Sequence, residues 1–180
     1  MIRAMIFDLD GTLVQTEKLK AMSYAKAVVD LCPLEIQEEA VVLAFKEVVG
    51  LPRKEVSERL IDRFDLDESL RKRMSAFGVG TPWQAVIQVR LGYYEELLSD
   101  PDILRRNQWP HNMALLREAR KANCLLGLAT MFYCAQVQRV LRILELEDTF
   151  DFVASRDDVE QGKPDPEIYN LVAEQNRALL

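Results

Sequence analysis

Asp8 and Asp10 stand one residue apart, directly after the apolar run Ala4-Met5-Ile6-Phe7 and directly before Gly11-Thr12-Leu13. An apolar run ending in an acidic, glycine-broken stretch reads as a buried strand that runs into a tight loop. In open α/β sheets, ligands collect just past the carboxyl ends of the strands. There the two aspartates can divide a reaction. Asp8, at the strand end, can attack phosphorus and carry an aspartyl-phosphate. Asp10 can protonate the leaving oxygen and then activate the incoming water or hydroxyl. Mg²⁺ suits such a site, because it is hard, prefers oxygen and binds through one or two carboxylates plus substrate phosphate. The plain alternative is an Asp-Gly turn in which Asp8 only caps the loop.

The rest of the composition narrows the partners. The chain has 180 residues, 49% of them hydrophobic and 29% charged, in the range of a soluble globular protein. Its net charge of −6 and pI near 5.0 oppose general binding to nucleic acid or to anionic membranes. Any phosphate site must therefore be local. The three cysteines, Cys32, Cys124 and Cys134, are odd in number and form no Cys-x-x-Cys pair. They point to a reducing cytoplasm rather than to a disulfide framework or a zinc site. His111 is the sole histidine, beside Trp109-Pro110 at a helix start, and reads as a surface residue. There is no apolar stretch of membrane-spanning length and no signal-peptide core.

The elements that must position the aspartates follow from periodicity. Met1–Phe7 reads as the first strand, and residues 16–31 as a helix with Leu19, Met22, Ala25, Val28 and Val29 on one face. Pro33 marks its stop. Further helices are expected over 35–49, from Pro52 to about Phe64, over 67–77 with Asp67 as its cap, and over 82–98. This block of roughly eighty residues, a plausible small-domain size, is too helical to be a loop. It reads as an inserted helical cap, 16–98, in a main domain formed by 1–15 and 99–180. Ser99-Asp100-Pro101-Asp102 marks the return as a turn. Helix and strand then alternate: helix 112–122, strand 124–129, helix 135–146, strand 150–154, a polar loop 155–165 and a helix from Pro166. That alternation predicts an α/β fold with a Rossmann-like parallel sheet and right-handed crossovers.

Two more positions belong with the aspartates. Thr130 ends the strand Leu126-Gly127-Leu128-Ala129. A hydroxyl there, with nearby amides, can hold a phosphoryl oxygen without adding charge; otherwise it is an ordinary strand-end residue. Lys163 lies in Gly162-Lys163-Pro164-Asp165-Pro166-Glu167-Ile168-Tyr169, where two prolines stiffen the loop. It can neutralise phosphoryl charge and restrain Asp8, or else it is a solvated turn lysine.

Asp8-Leu9-Asp10-Gly11-Thr12-Leu13 resembles the nucleophile motif of the haloacid dehalogenase superfamily of phosphatases and phosphomutases. Thr130 resembles the Ser/Thr of that superfamily's second motif. The Gly162–Tyr169 stretch resembles the lysine motif of its β-phosphoglucomutase-like and phosphoglycolate phosphatase-like branch. Response-regulator receivers also use an Asp-Thr-Lys set, but they lack a large helical insertion after the first acidic loop. The resemblance implies an Mg²⁺-dependent phosphatase or phosphomutase acting on a small phosphorylated metabolite through phospho-Asp8. Mg²⁺ would be held by Asp8 and the backbone carbonyl of Asp10.

The resemblance also reaches the helical insertion. Gly50-Leu51-Pro52-Arg53 is similar to the Gly-x-x-Arg with which β-phosphoglucomutase-like caps hold a substrate phosphate, with Val49 in place of the mutase lysine. Lys20 stands where relatives place a histidine or other polar residue facing the acid/base. Gln15 replaces an aspartate common after the first motif. Asp157 and Asp158 read as turn and solubility residues.

The resemblance ends at about Glu174. Family members carry a later strand with an acidic pair that completes the Mg²⁺ shell, and this sequence closes with Asn176-Arg177-Ala178-Leu179-Leu180. A truncated product, a protein completed by a partner and a divergent member all fit. Without that strand and its neighbours the Asp8 strand becomes an uncovered sheet edge open to self-association. Two alternatives follow: an inactive fragment with at most a binding role, and a metal-independent haloacid dehalogenase in which Asp8 attacks carbon. The latter chemistry does not need Asp10.

Overall fold

The computed structural model describes residues 2–32 and 36–178. Pro33, and Glu35 as the start of the second helix, lie outside the described residues. The chain divides into two compact units, 1–16 with 99–180, and 17–98.

The first unit is built on three parallel strands in the order β1-β2-β3: Ala4–Phe7, Leu125–Ala129 and Phe152–Ala154. β1 pairs with β2 from Ala4 opposite Leu125 to Phe7 opposite Leu128. β2 pairs with β3 from Gly127 opposite Phe152 to Ala129 opposite Ala154. The sheet is parallel, as the alternation of helix and strand predicts, and β1 lies at an edge of these three strands. Four consecutive β2 residues, Leu126 to Ala129, are buried. Burial of both alternating sets is the mark of a central strand covered on both faces.

α9 (Glu167–Ala178) lies directly on this sheet. Its Ile168 and Val172 are wholly buried and join Ala129, Ala154 and Val159 in one apolar cluster. The approach is close enough that a Cβ on Gly127 would fall 2.2 Å from Val172 Cγ1. Only glycine permits it. α7 (Pro110–Lys121) buries Met113, Leu116 and Ala119, and α8 (Cys134–Ile143) buries Val137, Val140 and Leu141. Ser99-Asp100-Pro101-Asp102 is more than the expected turn. Asp100 accepts from the amides of Asp102 (2.8 Å) and Ile103 (3.1 Å) and caps a short helix, α6 (Pro101–Arg106), with proline at its first position.

The second unit is helical: α1 (Thr16–Leu31), α2 (Glu38–Phe45), α3 (Arg53–Phe64), α4 (Asp67–Phe77) and α5 (Pro82–Ser99), with the ends of α1 and α5 reaching into the first unit. One core joins them, including Tyr24, Val28, Leu31, Val41, Phe45, Leu60, Leu66, Leu70, Ala85 and Val86. α2 is shorter than its sequence pattern. After Phe45 the amides of Lys46, Glu47 and Val48 bond three residues back, tightening the chain into turns that end at Gly50, φ 88°. Asp67 does not cap α4. Asp65 closes α3 in the left-handed region (φ 51°), Leu66 is the residue before α4, and the Asp67 carboxylate pairs with Arg71.

Candidate active site

The acidic loop is held by its own apolar residues. Leu9, Leu13 and Val14 are wholly buried, and the amides of Leu13 and Val14 both donate to the Leu9 carbonyl at 3.1 Å. Gly11, at φ 77°, supplies the left-handed corner and donates to the Val14 carbonyl at 2.9 Å. Asn112, in the first turn of α7, reaches back to the Thr12 carbonyl at 2.7 Å. With the loop fixed in this way, Asp8 leaves the end of β1 and Asp10 follows on the same turn.

Asp8 accepts two hydrogen bonds, both on Oδ1: from the Leu9 amide and from Lys163 Nζ, each at 2.9 Å. The first is the capping role that the plain reading assigns. The second comes from 155 residues away and is not local. Neither of them falls on Oδ2. Lys163 Nζ also donates to the Ala129 carbonyl at 3.0 Å, so one ammonium joins the carboxyl ends of β1 and β2. Thr130, the next residue, is wholly buried. Its amide donates to the Ala154 carbonyl at 3.0 Å, and its hydroxyl accepts from the Phe132 amide at 3.2 Å. Asp10 accepts from the Thr16 hydroxyl.

Burial, the largest single influence on Lys163, pushes its ammonium down. The side-chain hydrogen bonds of Asp8 and then of Tyr169, with the charge of Asp8, outweigh it and hold Lys163 above the ordinary lysine value. The Tyr169 ring centroid lies 4.8 Å from Nζ. Asp8, Thr12, Asn112 and Tyr169 all line one groove of about 440 Å³ beside β1.

Asp8, Asp10, Thr130 and Lys163 thus fall in the first unit, with Lys163 and Asp8 in direct contact. Lys20 and Arg53 belong to the second. Lys20 pairs with Glu17 at 2.7 Å, and Arg53 opens α3, exposed. Gln15 donates to the Gln108 carbonyl at 2.9 Å. Asp157 does more than shape a turn: its carboxylate accepts from the Cys134 amide at 2.7 Å, tying the segment after Thr130 to the segment after β3. Sequence reasoning missed that contact, since nothing local relates residues 134 and 157. It also assigned no part to Arg156 or Glu167, although Glu167 stands inside the lysine motif.

The donors of the acidic loop are oxygens, a set suited to a hard divalent ion such as Mg²⁺. Among the described residues no group of three or more His, Cys, Asp or Glu side chains gathers as a ready metal cage. Asp8, with substrate phosphate and water, is the anchor such an ion would use.

The haloacid dehalogenase-like hydrolase family profile matches residues 5–179. The chain belongs to that family. Among curated relatives, a phosphorylated carbohydrates phosphatase from Thermotoga maritima is 28% identical over 173 residues, spanning 96% of this chain and 70% of the relative. Pyrophosphatase PpaX from Bacillus velezensis is 28% identical over 170 residues, spanning 94% and 67%. The chain therefore spans about two thirds of the length of these relatives. The fold matches β-phosphoglucomutase from Clostridium difficile, with a TM-score of 0.55 and 23% identity over 98% of this chain and 72% of that one. It also matches CbbY from Rhodobacter sphaeroides in complex with phosphate, with a TM-score of 0.54 and 22% identity over 97% and 72%.

Proposed function

We propose that the chain transfers the phosphoryl group of a small phosphorylated metabolite, of the sugar-phosphate class, to Asp8 and then to water or a second hydroxyl. The observation that carries this reading is the Lys163 ammonium, which bridges Asp8 Oδ1 and the Ala129 carbonyl and leaves Asp8 Oδ2 open. Oδ2 attacks phosphorus while the bond to the leaving oxygen breaks, and Asp10 gives that oxygen its proton. Asp10 then takes a proton from the incoming water or hydroxyl, whose oxygen attacks phosphorus as the bond to Asp8 breaks. Lys163 and Thr130 hold the phosphoryl oxygens throughout, which is positioning plus charge neutralisation. Mg²⁺, held by Asp8 and the carbonyl of Asp10, would supply Lewis-acid stabilisation of the same oxygens.

In this reading residues 1–15 and 99–180 are the catalytic core and 16–98 the cap, with Arg53 and Lys20 as substrate contacts. Cap closure excludes water and selects the substrate. The three free cysteines fit a reducing cytoplasm. No helix among the described residues is long and apolar enough to cross a membrane. A carbon-centred dehalogenase is disfavoured, because it leaves Asp10 without a task. The edge strand β1 is the surface for self-association.

The deciding measurement is Mg²⁺-dependent hydrolysis of an aryl phosphate by the 180-residue chain. Turnover that is lost both with chelator and in Asp8→Asn is the expected result. A folded sample no more active than Asp8→Asn would leave the inactive-fragment reading in its place.

A further inference from the structure

Lys163 sits in a loop, yet its ammonium must meet Asp8 and Ala129 at hydrogen-bond distance. The loop is held on both polar sides just before it. The Glu167 carboxylate accepts from the amide of Glu160 through Oε1 at 3.0 Å and from the amide of Gln161 through Oε2 at 2.6 Å. Arg156 takes the carbonyls of the same segment, Val159 at 2.6 Å and Glu160 at 3.4 Å. Gly162 then passes Met131 so closely that a Cβ would lie 3.0 Å from its Cε. On the far side of the loop, Asp165 caps α9 by accepting from the Glu167 amide at 2.9 Å. Two residues beyond Glu167, the Tyr169 ring lies under the ammonium itself at 4.8 Å.

We propose that Glu167 and Tyr169, on the first turn of α9, are positioning residues that set the Lys163 ammonium against Asp8. This rests on the role given to Lys163 above. A glutamate that only favoured its helix dipole would face the amides of its own first turn. Glu167 instead binds two amides six and seven residues upstream. Those bonds hold its carboxyl below the usual carboxylate range, with the Gln161 amide the larger cause and the Glu160 amide next. α9 is in turn fixed to the sheet through Ile168 and Val172, both wholly buried. A continuous path therefore runs from β2 through α9 and Glu167 to the loop, and from Tyr169 directly to the ammonium. Sub-ångström placement of a charged group is what such a path secures.

The test follows the position of Lys163 directly. In protein labelled with ¹³C-lysine, the Lys163 side-chain methylene signals are read by NMR at pH 7 and assigned by their loss in Lys163→Arg. In the wild type the Tyr169 ring beneath the ammonium displaces them by its ring current, and Tyr169→Phe, which keeps the ring face, leaves them near wild type. Glu167→Ala moves them toward the position of an unrestrained lysine. Glu167→Gln falls between, because its amide offers one acceptor where two are needed, and it serves should Glu167→Ala not fold. In aryl-phosphate turnover, kcat drops on the order of tenfold in Glu167→Ala and Tyr169→Leu with a smaller change in KM. Folded Glu167 variants with unmoved Lys163 signals would overturn the proposal. Moved signals in a chain without Asp8-dependent turnover would keep it and overturn the catalytic reading instead.

Discussion

Leu126 and Asp151 exchange hydrogen bonds: the Leu126 amide donates to the Asp151 carboxylate at 2.8 Å, and the Asp151 amide donates to the Leu126 carbonyl at 2.8 Å. The side chain thereby stands in for a backbone carbonyl where the β2–β3 pairing begins, and β3 starts at Phe152 rather than at Phe150. The Leu126 amide holds the Asp151 carboxyl below the usual range, against the opposing effect of burial, and Arg120 at 3.0 Å adds to it. A depressed carboxyl stabilises the fold above its unfolded value of about 3.9, and that contribution is lost as pH falls through the folded value. Asp151→Ala is expected to cost about 1–3 kcal/mol at neutral pH. The difference from wild type should shrink in urea melts below about pH 4.

Gly127→Ala tests the contact between β2 and α9. The added Cβ would sit 2.2 Å from Val172 Cγ1 and 3.0 Å from Asn176 Nδ2. Overpacking of this kind costs about 1–3 kcal/mol. Thermal unfolding should show the loss, and Gly127→Ala with Val172→Ala should recover part of it.

Lys163→Met removes the ammonium between Asp8 and Ala129. Because the folded-state affinity of Lys163 for its proton is raised, its stabilising contribution is complete below the unfolded value of about 10.4 and disappears as pH rises through the folded one. The wild type should therefore exceed Lys163→Met in unfolding free energy at pH 8. The gap should close on the alkaline side, measured as the difference between paired urea titrations.

Arg90 is a buried cation in the helical unit, 3% exposed, between the rings of Tyr24 at 5.0 Å and Tyr94 at 5.3 Å. Its Nε and Nη1 have no hydrogen-bond partner among the described residues. Burial pushes its guanidinium down and the neighbouring charge of Arg53 adds to this, against the opposing pull of Tyr24. No acidic side chain among the described residues pairs with it, and buried charge without a counter-ion is costly. Arg90→Met is expected to be on the order of 1 kcal/mol more stable than wild type by thermal unfolding. A lower melting temperature would show that the two aromatic faces repay the burial.

Asp10→Asn keeps the shape of the loop and the acceptor for the Thr16 hydroxyl but cannot move a proton. Acid–base assistance contributes about 10²–10⁴-fold, and aryl-phosphate turnover should fall within that range with an unchanged melting temperature.

The acidic loop, the parallel sheet and the lysine loop were legible in the sequence, because each is written in contiguous residues. Ala4–Phe7 runs straight into Asp8, Leu126–Ala129 ends at Thr130, and Gly162–Tyr169 carries its prolines with it. What escaped are the contacts that only the fold creates. Asp157 with Cys134, Glu167 with Glu160 and Gln161, and Arg90 with the ring of Tyr24 on another helix have partners that no period or spacing announces. The α2 pattern failed for a different reason. Gly50 closes the segment as its sequence suggests, but Val48-Val49 continues the apolar signal of a helix where the amides of Lys46, Glu47 and Val48 already bond three residues back rather than four.

The two parts of the first unit that flank the helical unit in sequence are stitched together. Val14 bridges Gln108 in antiparallel fashion, the Gln15 amide donates to the Asn107 carbonyl at 2.7 Å, and the Trp109 amide to the Leu13 carbonyl at 2.9 Å. Residues 13–15 and 107–109 thus form a seam that sets the ends of the intervening chain side by side. Loop-closure entropy grows only with the logarithm of length, so a seam of this kind tolerates inserts of very different size at similar cost. The same core could accept a short turn or a foreign module in place of the helices of the second unit, joined after residue 16 and before residue 99, with the seam as its anchor.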